Sequence, residues 1–374
     1  MLIPGDAGAV VIVDLDAIAE NYRLIQTQCP DASVGAAVKA DAYGLGIEPV
    51  ARALSDAGCT TFFVATAAEG RNLRGILSEA EIVVLNGPEA SNLDSFSASR
   101  LSPTLNSLAQ IETWANARIA EAAPAWLHID TGMNRLGLVP RDIETLIADP
   151  DRLSGITIAT LMSHLACADQ PDHPMNAAQQ KLFALTRTAL EPVTGPVRAS
   201  LANSPGVFLG PEYHFDVVRP GAALYGLRPD SGSANPMRQV VEIHTKIVQV
   251  RDVDTPMTVG YGAAHRVART GRIATLATGY ADGYPRAAGN PEGNSMSAYI
   301  AGQAAPLVGR ISMDLITIDV SDLPPELTQP GQTVELLGPN AAPDDLADAA
   351  GTIGYEILTQ LGARLQREYL GARG

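Results

Sequence analysis

Lys39 closes an otherwise apolar run, Ala36-Ala-Val-Lys39, and an ammonium held in such a partly buried place is costly to keep charged. A lowered pKa or a covalent partner removes that cost, and Schiff-base formation with an aldehyde also uses the amine as a nucleophile. A lone lysine at a strand end more often reaches out to solvent. Two further segments outweigh that reading. Asn203-Ser-Pro-Gly206 and Arg219-Pro-Gly-Ala222 combine small residues, a hydroxyl and available backbone N–H groups in the manner of phosphate-binding loops. A phosphate-bearing aldehyde is the ligand that accounts for both features. His164 and Arg135 follow other apolar runs and add an acid/base group and a fixed cation.

These residues need elements that bring them together. From residue 33 to about 220, eight short apolar or β-branched runs alternate with helix-like stretches: 33–39, 61–65, 82–85, 102–105, 124–130, 158–163, 198–202 and 215–219. Between them, segments such as 48–57, 108–123 and 177–190 repeat apolar residues at helical spacing. Eight βα units predict a (β/α)8 barrel, in which chemistry collects at the C-terminal ends of the strands. Lys39, Arg135, His164, Ser204, Arg219 and Gly221 all fall at such ends. Phosphate in barrels commonly sits on the loops after the seventh and eighth strands, where Ser204 and Gly221 lie.

After Tyr225 the character changes. Ser231-Gly-Ser-Ala-Asn-Pro236 reads as a linker, and the runs beyond it (240–250, 273–277, 298–300, 305–308, 315–320, 333–337) are separated by Gly, Pro and Asp. They predict a mainly antiparallel β domain over 236–374 behind an N-terminal barrel over 1–235, with helical character across 344–369. The run 9–14 is strand-like and could pair with either domain.

Composition narrows the class. With 46% hydrophobic and 18% charged residues the chain should fold, and a formal charge of −15 opposes binding to nucleic acid or anionic lipid. No apolar stretch is long enough to span a membrane, and the opening residues lack a signal-peptide pattern, so a cytoplasmic location is expected. Cys29, Cys59 and Cys167 are odd in number and far apart, which predicts reduced thiols and neither a disulfide framework nor a metal site. The expected partner is a small molecule.

Nine segments, in order over nearly the whole chain, resemble those of one family. Ala37-Val-Lys-Ala-Asp-Ala-Tyr-Gly-Leu-Gly46 is similar to the cofactor-lysine segment of the alanine racemases. His128 to Gly137, Met162 to Asp169, Asn203-Ser204, Val218 to Gly226, Gly260-Tyr-Gly262, Gly279 to Gly283, Gly309 to Asp314 and Gly354-Tyr-Glu356 follow the same pattern. One such segment is weak; nine in order are specific. The resemblance implies that Lys39 bonds to pyridoxal 5'-phosphate and acts as base on one face of a small amino acid. It implies phosphate contacts from Tyr43, Ser204, Gly221, Ala222 and Tyr355, with Asn203 also among the cofactor-binding residues. Arg219 matches the residue facing the pyridine nitrogen, and His164 the histidine linked to it. Arg135 matches a residue near the phenolic oxygen. Met313 matches one that meets the substrate carboxylate from the other subunit of a homodimer. The implied activity is interconversion of L- and D-alanine, supplying D-alanine for peptidoglycan. A racemase for another small amino acid such as serine, or a non-catalytic coenzyme-binding protein, is the alternative.

Two departures stand out. The family's second base is a tyrosine, whereas Gly260-Tyr-Gly-Ala-Ala-His265 puts His265 there, a group that titrates nearer neutrality and reaches less far. The competing assignment has His265 line the entrance while a water or Tyr261 carries the proton. The second is His128, where many members have a carbamylated lysine that orients the arginine matching Arg135; histidine cannot hold that carbamate, and chloride or a nearby carboxylate are the substitutes considered. Leu45 replacing a common histidine is the minor third. His173, His214 and His244 read as hydrogen-bonded structural residues, Trp114 and Trp126 as packing, and Tyr280 and Tyr284 as lining the route to the site.

Overall fold

The computed structural model describes residues 3, 5–119, 123–230, 232, 234–289 and 296–371. Ser231 and Ser233 of the expected linker, and residues 120–122 of the expected helix 108–123, lie outside them. That helix runs Leu108–Ala117 and stops at Arg118, whose φ of 44° is left-handed.

The barrel is built from strands that are apolar on both faces, as buried parallel strands must be. Ala36–Ala37, Thr61–Val64, Glu81–Val84, Ser102–Leu105, Ala125–His128, Ile158–Met162 and Arg198–Ser200 lie side by side in that order, all parallel. Val217–Val218 closes the ring. It pairs with Ser33–Val34 on one side, and on the other Asp216 N–H donates to Ala199 O at 2.9 Å and Arg219 N–H to Ala202 O at 2.9 Å. Between the strands, helices bury one stripe each: in Ile47–Asp56 that stripe is Val50, Ala51, Ala53 and Leu54. Trp126 is fully buried and packs edge-on against Phe63 at 5.2 Å, and Trp114 packs on Phe96, so both tryptophans are core residues.

The second sheet is mainly antiparallel and hangs on the long strand Val241–Val253. Its first half pairs with Ala9–Asp14 and Thr333–Leu337 and its second half with Gly271–Leu276, a pairing that carries a register shift between Ile247 and Gln249. The opening strand thus joins the second sheet. Behind it, Gln366–Leu370 runs parallel to Ala9–Asp14. This corrects the expected helical tail: helices Pro343–Ala350 and Gly354–Thr359 are short, and Gln366–Leu370 is an edge strand. Among the described residues no helix is long and apolar enough to cross a membrane.

Candidate active site

The C-terminal ends of the barrel strands open onto a cavity of about 890 Å³. Lys39, Tyr43, Arg135, His164, Asn203, Ser204, Arg219, Gly221, Ala222 and Tyr355 all line it, together with His128. His265 and Met313 do not. His265 sits in the small hairpin Thr258–Val259/His265–Arg266 of the second domain, and Met313 is 54% exposed on a turn of that domain.

Lys39 does not end a strand. It opens a turn in which Ala40, Asp41, Ala42 and Tyr43 all have φ between 53° and 57°, followed by Gly44 at 85°. Left-handed conformation costs an L-residue with a side chain about 1–2 kcal/mol, so four in a row persist only because other contacts hold them. Ala42 N–H donates to Val38 O at 2.9 Å, Gly44 N–H to Ala40 O at 2.8 Å and Gly46 N–H to Asp41 O at 2.9 Å. Asp41 Oδ1 accepts Ile47 N–H at 2.7 Å and joins the turn to the next helix. Gly44 must lack a side chain, since a Cβ there would stand 2.5 Å from Leu358 O in the helix that carries Tyr355. The turn aims Lys39 at the cavity instead of continuing the strand into solvent. Burial first, then the nearby Arg135 charge, hold its amine below the ordinary lysine range, while Glu69 opposes them.

Opposite Lys39 lies a small cradle. Ser204 Oγ accepts Gly221 N–H at 2.8 Å and Ala223 N–H at 3.1 Å, tying the loops after the seventh and eighth strands. A Cβ on Gly221 would lie 2.4 Å from Tyr43 Oη, so only glycine leaves the phenol its place. Tyr43 stacks on Tyr225 at 4.7 Å and faces Tyr355 at 6.2 Å; burial and the neighbouring Tyr355 raise its pKa, so it remains a hydroxyl donor. A hydroxyl pair, backbone N–H groups and close backbone approach are a donor set that fits a phosphate.

Arg219 forms the other end. Its Nη1 donates to Ser200 Oγ at 2.5 Å, and its Nη2 to Ser163 O at 2.5 Å and to His164 Nδ1 at 3.2 Å. None of these bonds uses the Nε–H. Burial pushes the guanidinium down to about 10, still well above neutrality, so it stays a pure donor. Burial, then Arg219, Arg135, Lys39 and His128, push His164 well below the ordinary histidine range. A neutral His164 with a free Nδ1 lone pair is what the bond from Arg219 requires.

His128 is buried beneath Arg135 and fixed by Asn106. Asn106 Nδ2 donates to Leu85 O at 3.1 Å, Thr104 O at 3.2 Å and Gln110 Oε1 at 3.1 Å, which turns its Oδ1 to His128 Nδ1 at 2.7 Å. His128 therefore carries its proton on Nδ1 and leaves Nε2 as an acceptor. Burial first, then Arg219, lower its pKa to about 4, against the weaker pull of Asp130. The position itself therefore holds a neutral histidine whose Nε2 can accept a hydrogen bond.

The remaining histidines are structural: His173 Nδ1 accepts Met175 N–H, His214 Nε2 donates to Val207 O and His244 Nε2 meets Glu242 at 2.7 Å. Tyr280 is exposed, but Tyr284 is 3% exposed and its hydroxyl has no partner among the described residues, so in this chain it belongs to the core and lines no route. Sequence reading missed Glu69, Asn106, Tyr225, Arg364 and Arg367. Glu69 was findable as the last residue of a Thr66-x-x-Glu69 capping box, which the structure contains.

Residues 13–229 match the family described as alanine racemase, N-terminal domain, and residues 240–369 match alanine racemase, C-terminal domain. The alanine racemase of Rhodospirillum rubrum is 51% identical over 371 residues, covering 98% of this chain and 97% of that one. Among solved structures, the Bartonella henselae alanine racemase with covalently bound pyridoxal phosphate superposes with a TM-score of 0.90 at 36% identity, covering 97% of this chain and 100% of that one. The biosynthetic alanine racemase of Pseudomonas aeruginosa gives 0.89 at 35% identity, covering 98% and 100%. With both family domains matched across almost its whole length, and a relative 51% identical over 98% of it, this chain belongs to the alanine racemase family.

Proposed function

We propose that this chain is a pyridoxal 5'-phosphate enzyme that interconverts L- and D-alanine as a homodimer. The observation that carries the reading is the placement of Lys39, its amine held below the ordinary lysine range by burial, in one cavity with the Ser204–Gly221–Tyr43 cradle and the fixed Arg219. When bound, the coenzyme supplies an electron sink for the charge left on Cα after proton removal. Ser204, Tyr43, Tyr355 and the backbone at Gly221 and Ala222, with Asn203 bracing the loop through Gly206 N–H, would hold its phosphate. Arg219, permanently protonated, would donate to the ring nitrogen without surrendering a proton and so keep that sink weak, which favours returning the proton over transferring the amino group. His164 buffers nothing at neutral pH; it positions Arg219.

Lys39 takes or returns the α-proton on one face. Racemisation needs a second acid/base group on the other, and we assign it to the partner subunit's His265, with the partner subunit's Met313 beside the substrate carboxylate and Arg135 near the cofactor's phenolic oxygen. Support comes from what each chain leaves uncovered. Leu136 and Ile353 at the cavity mouth are 43% and 60% exposed, and Tyr261, Met313 and Leu315 on the second domain are 68%, 54% and 41% exposed. Two apolar faces on one chain suit a reciprocal, two-fold interface. We further assign the enzyme to the cytoplasm and to supply of D-alanine for peptidoglycan.

The test is deuterium wash-in at Cα in heavy water. Both alanine enantiomers should gain deuterium as they racemise, and exchange into neither would overturn the proposal. A kcat/KM higher for serine than for alanine would move the assignment to that substrate.

A further inference from the structure

Two charged side chains that do not line the cavity hold the two ends of the turn bearing Lys39. At its start, Glu69 Oε1 accepts Ala40 N–H at 2.8 Å, while Glu69 Oε2 accepts Ala65 N–H at 2.7 Å and Thr66 N–H at 3.2 Å. One carboxylate therefore ties the end of the first barrel strand to the end of the second. At the other end, Gly44 O accepts from Arg367 Nε at 3.0 Å and Nη2 at 2.8 Å. The same guanidinium donates to Leu361 O at 2.9 Å, and Tyr369 Oη donates to Leu45 O at 3.0 Å. A left-handed turn, like a right-handed one, leaves free N–H groups at its start and free carbonyls at its end. An anion on the first and a cation on the second oppose its unwinding.

We propose that Glu69 and Arg367 are positioning residues for Lys39, clamping the strained turn from both ends so that its amine meets the coenzyme in one geometry. The proposal rests on reading Lys39 as the coenzyme lysine. It also gives Glu69 a second effect. The charged and titratable groups acting on Lys39 are Arg135 from the loop after the fifth strand and Glu69 from the helix Ala67–Ile76, with His164 beside them after the sixth strand. Glu69 is the acidic member of that set, and it favours the protonated amine.

The test uses full-length cofactor-free protein and its Glu69→Gln, Arg367→Met and Arg367→Lys variants. Pyridoxal 5'-phosphate is added, the bond is trapped with borohydride at timed intervals, and the modified lysine is identified by peptide mass. Misplacing a reacting group by about 1 Å costs roughly a hundredfold in rate, so Arg367→Met should slow attachment at Lys39 by that order. Arg367→Lys should recover part of the loss, since it restores the charge but not the fork. Glu69→Gln should slow attachment and shift its pH profile to lower pH, a displacement that simple loss of fold would not produce. If the wild type attaches the coenzyme at Lys39 and all three variants match its rate and profile, the positioning role is overturned. If the wild type attaches none at Lys39, it is the coenzyme-lysine reading that fails. Should Arg367→Met not fold, the Glu69→Gln rate at the optimum of its own pH profile decides alone: attachment slower than wild type there supports the clamp, and an equal rate overturns it.

Discussion

His128→Asn should flatten the acid sensitivity of the folded protein. His128 is 9% exposed, and burial beside Arg219 lowers its pKa from 6.5 to about 4. Between those values the unfolded chain binds a proton at this residue and the folded protein does not, so stability is intact above the upper value and falls as pH drops toward the lower one. The gap corresponds to roughly 3 kcal/mol, of which about 2.5 kcal/mol would be lost by about pH 4.5. An asparagine amide can still donate to Asn106 Oδ1, the bond His128 Nδ1 now makes at 2.7 Å, but it does not titrate in this window. Urea unfolding of the cofactor-free protein, at one fixed concentration, about pH 7 and about pH 4.5, gives the comparison. Wild type should lose about 2–3 kcal/mol more than the variant across that interval. His164 contributes with the same sign in both proteins and cancels. Parallel losses would refute the buried, neutral, Nδ1-protonated His128 described above.

Gly221→Ala drives a methyl to within 2.4 Å of Tyr43 Oη. Overpacking of about 1–3 kcal/mol should weaken coenzyme binding by one to two decades in a fluorescence titration, and unchanged affinity would place the phosphate elsewhere. His265→Ala should reduce racemisation in both directions by about 10²- to 10⁴-fold, while one alanine enantiomer still exchanges its α-proton through Lys39; His265→Tyr should restore much of the rate. Full racemisation in His265→Ala would assign the second proton carrier to another group.

The barrel was legible because strands buried on both faces must be apolar, which makes runs such as Thr61–Val64 and Ile158–Met162 stand out between amphipathic helices. Most of the cavity followed from it, since Lys39, Arg135, His164, Ser204 and Arg219 each end a strand or lie just beyond one. The left-handed turn was not legible. Ala40, Ala42 and Tyr43 show no preference for positive φ, and only Asp41, Gly44 and Gly46 hint at it. Its clamp comes from Arg367, 323 residues further on, and local propensity carries no record of that contact. The strand Gln366–Leu370 was hidden for the same reason: its partner, Ala9–Asp14, is at the other end of the chain. Asn106 reads as an ordinary loop residue, and only its three donor bonds show that it sets the tautomer of His128.

Charge placement in the second domain was equally silent. Arg364 grips Asp282 with two bonds of 2.9 Å and Asp314 at 2.7 Å, which ties the turn bearing Tyr280 to the turn bearing Met313. Tyr280 N–H and Ala281 N–H complete the tie by donating to Ser312 O and Met313 O. The exposed face proposed for the dimer contact is therefore a braced one, although its residues are scattered from 261 to 315 in sequence.

The chain contains three lysines, Lys39, Lys181 and Lys246, so attachment of the coenzyme can be assigned without ambiguity. Borohydride reduction of the purified holoenzyme, followed by peptide mass mapping, should find the coenzyme's mass on the peptide bearing Lys39 and on neither of the other two. Coenzyme recovered on Lys181 or Lys246, or released from every lysine after reduction, would contradict the account at its foundation.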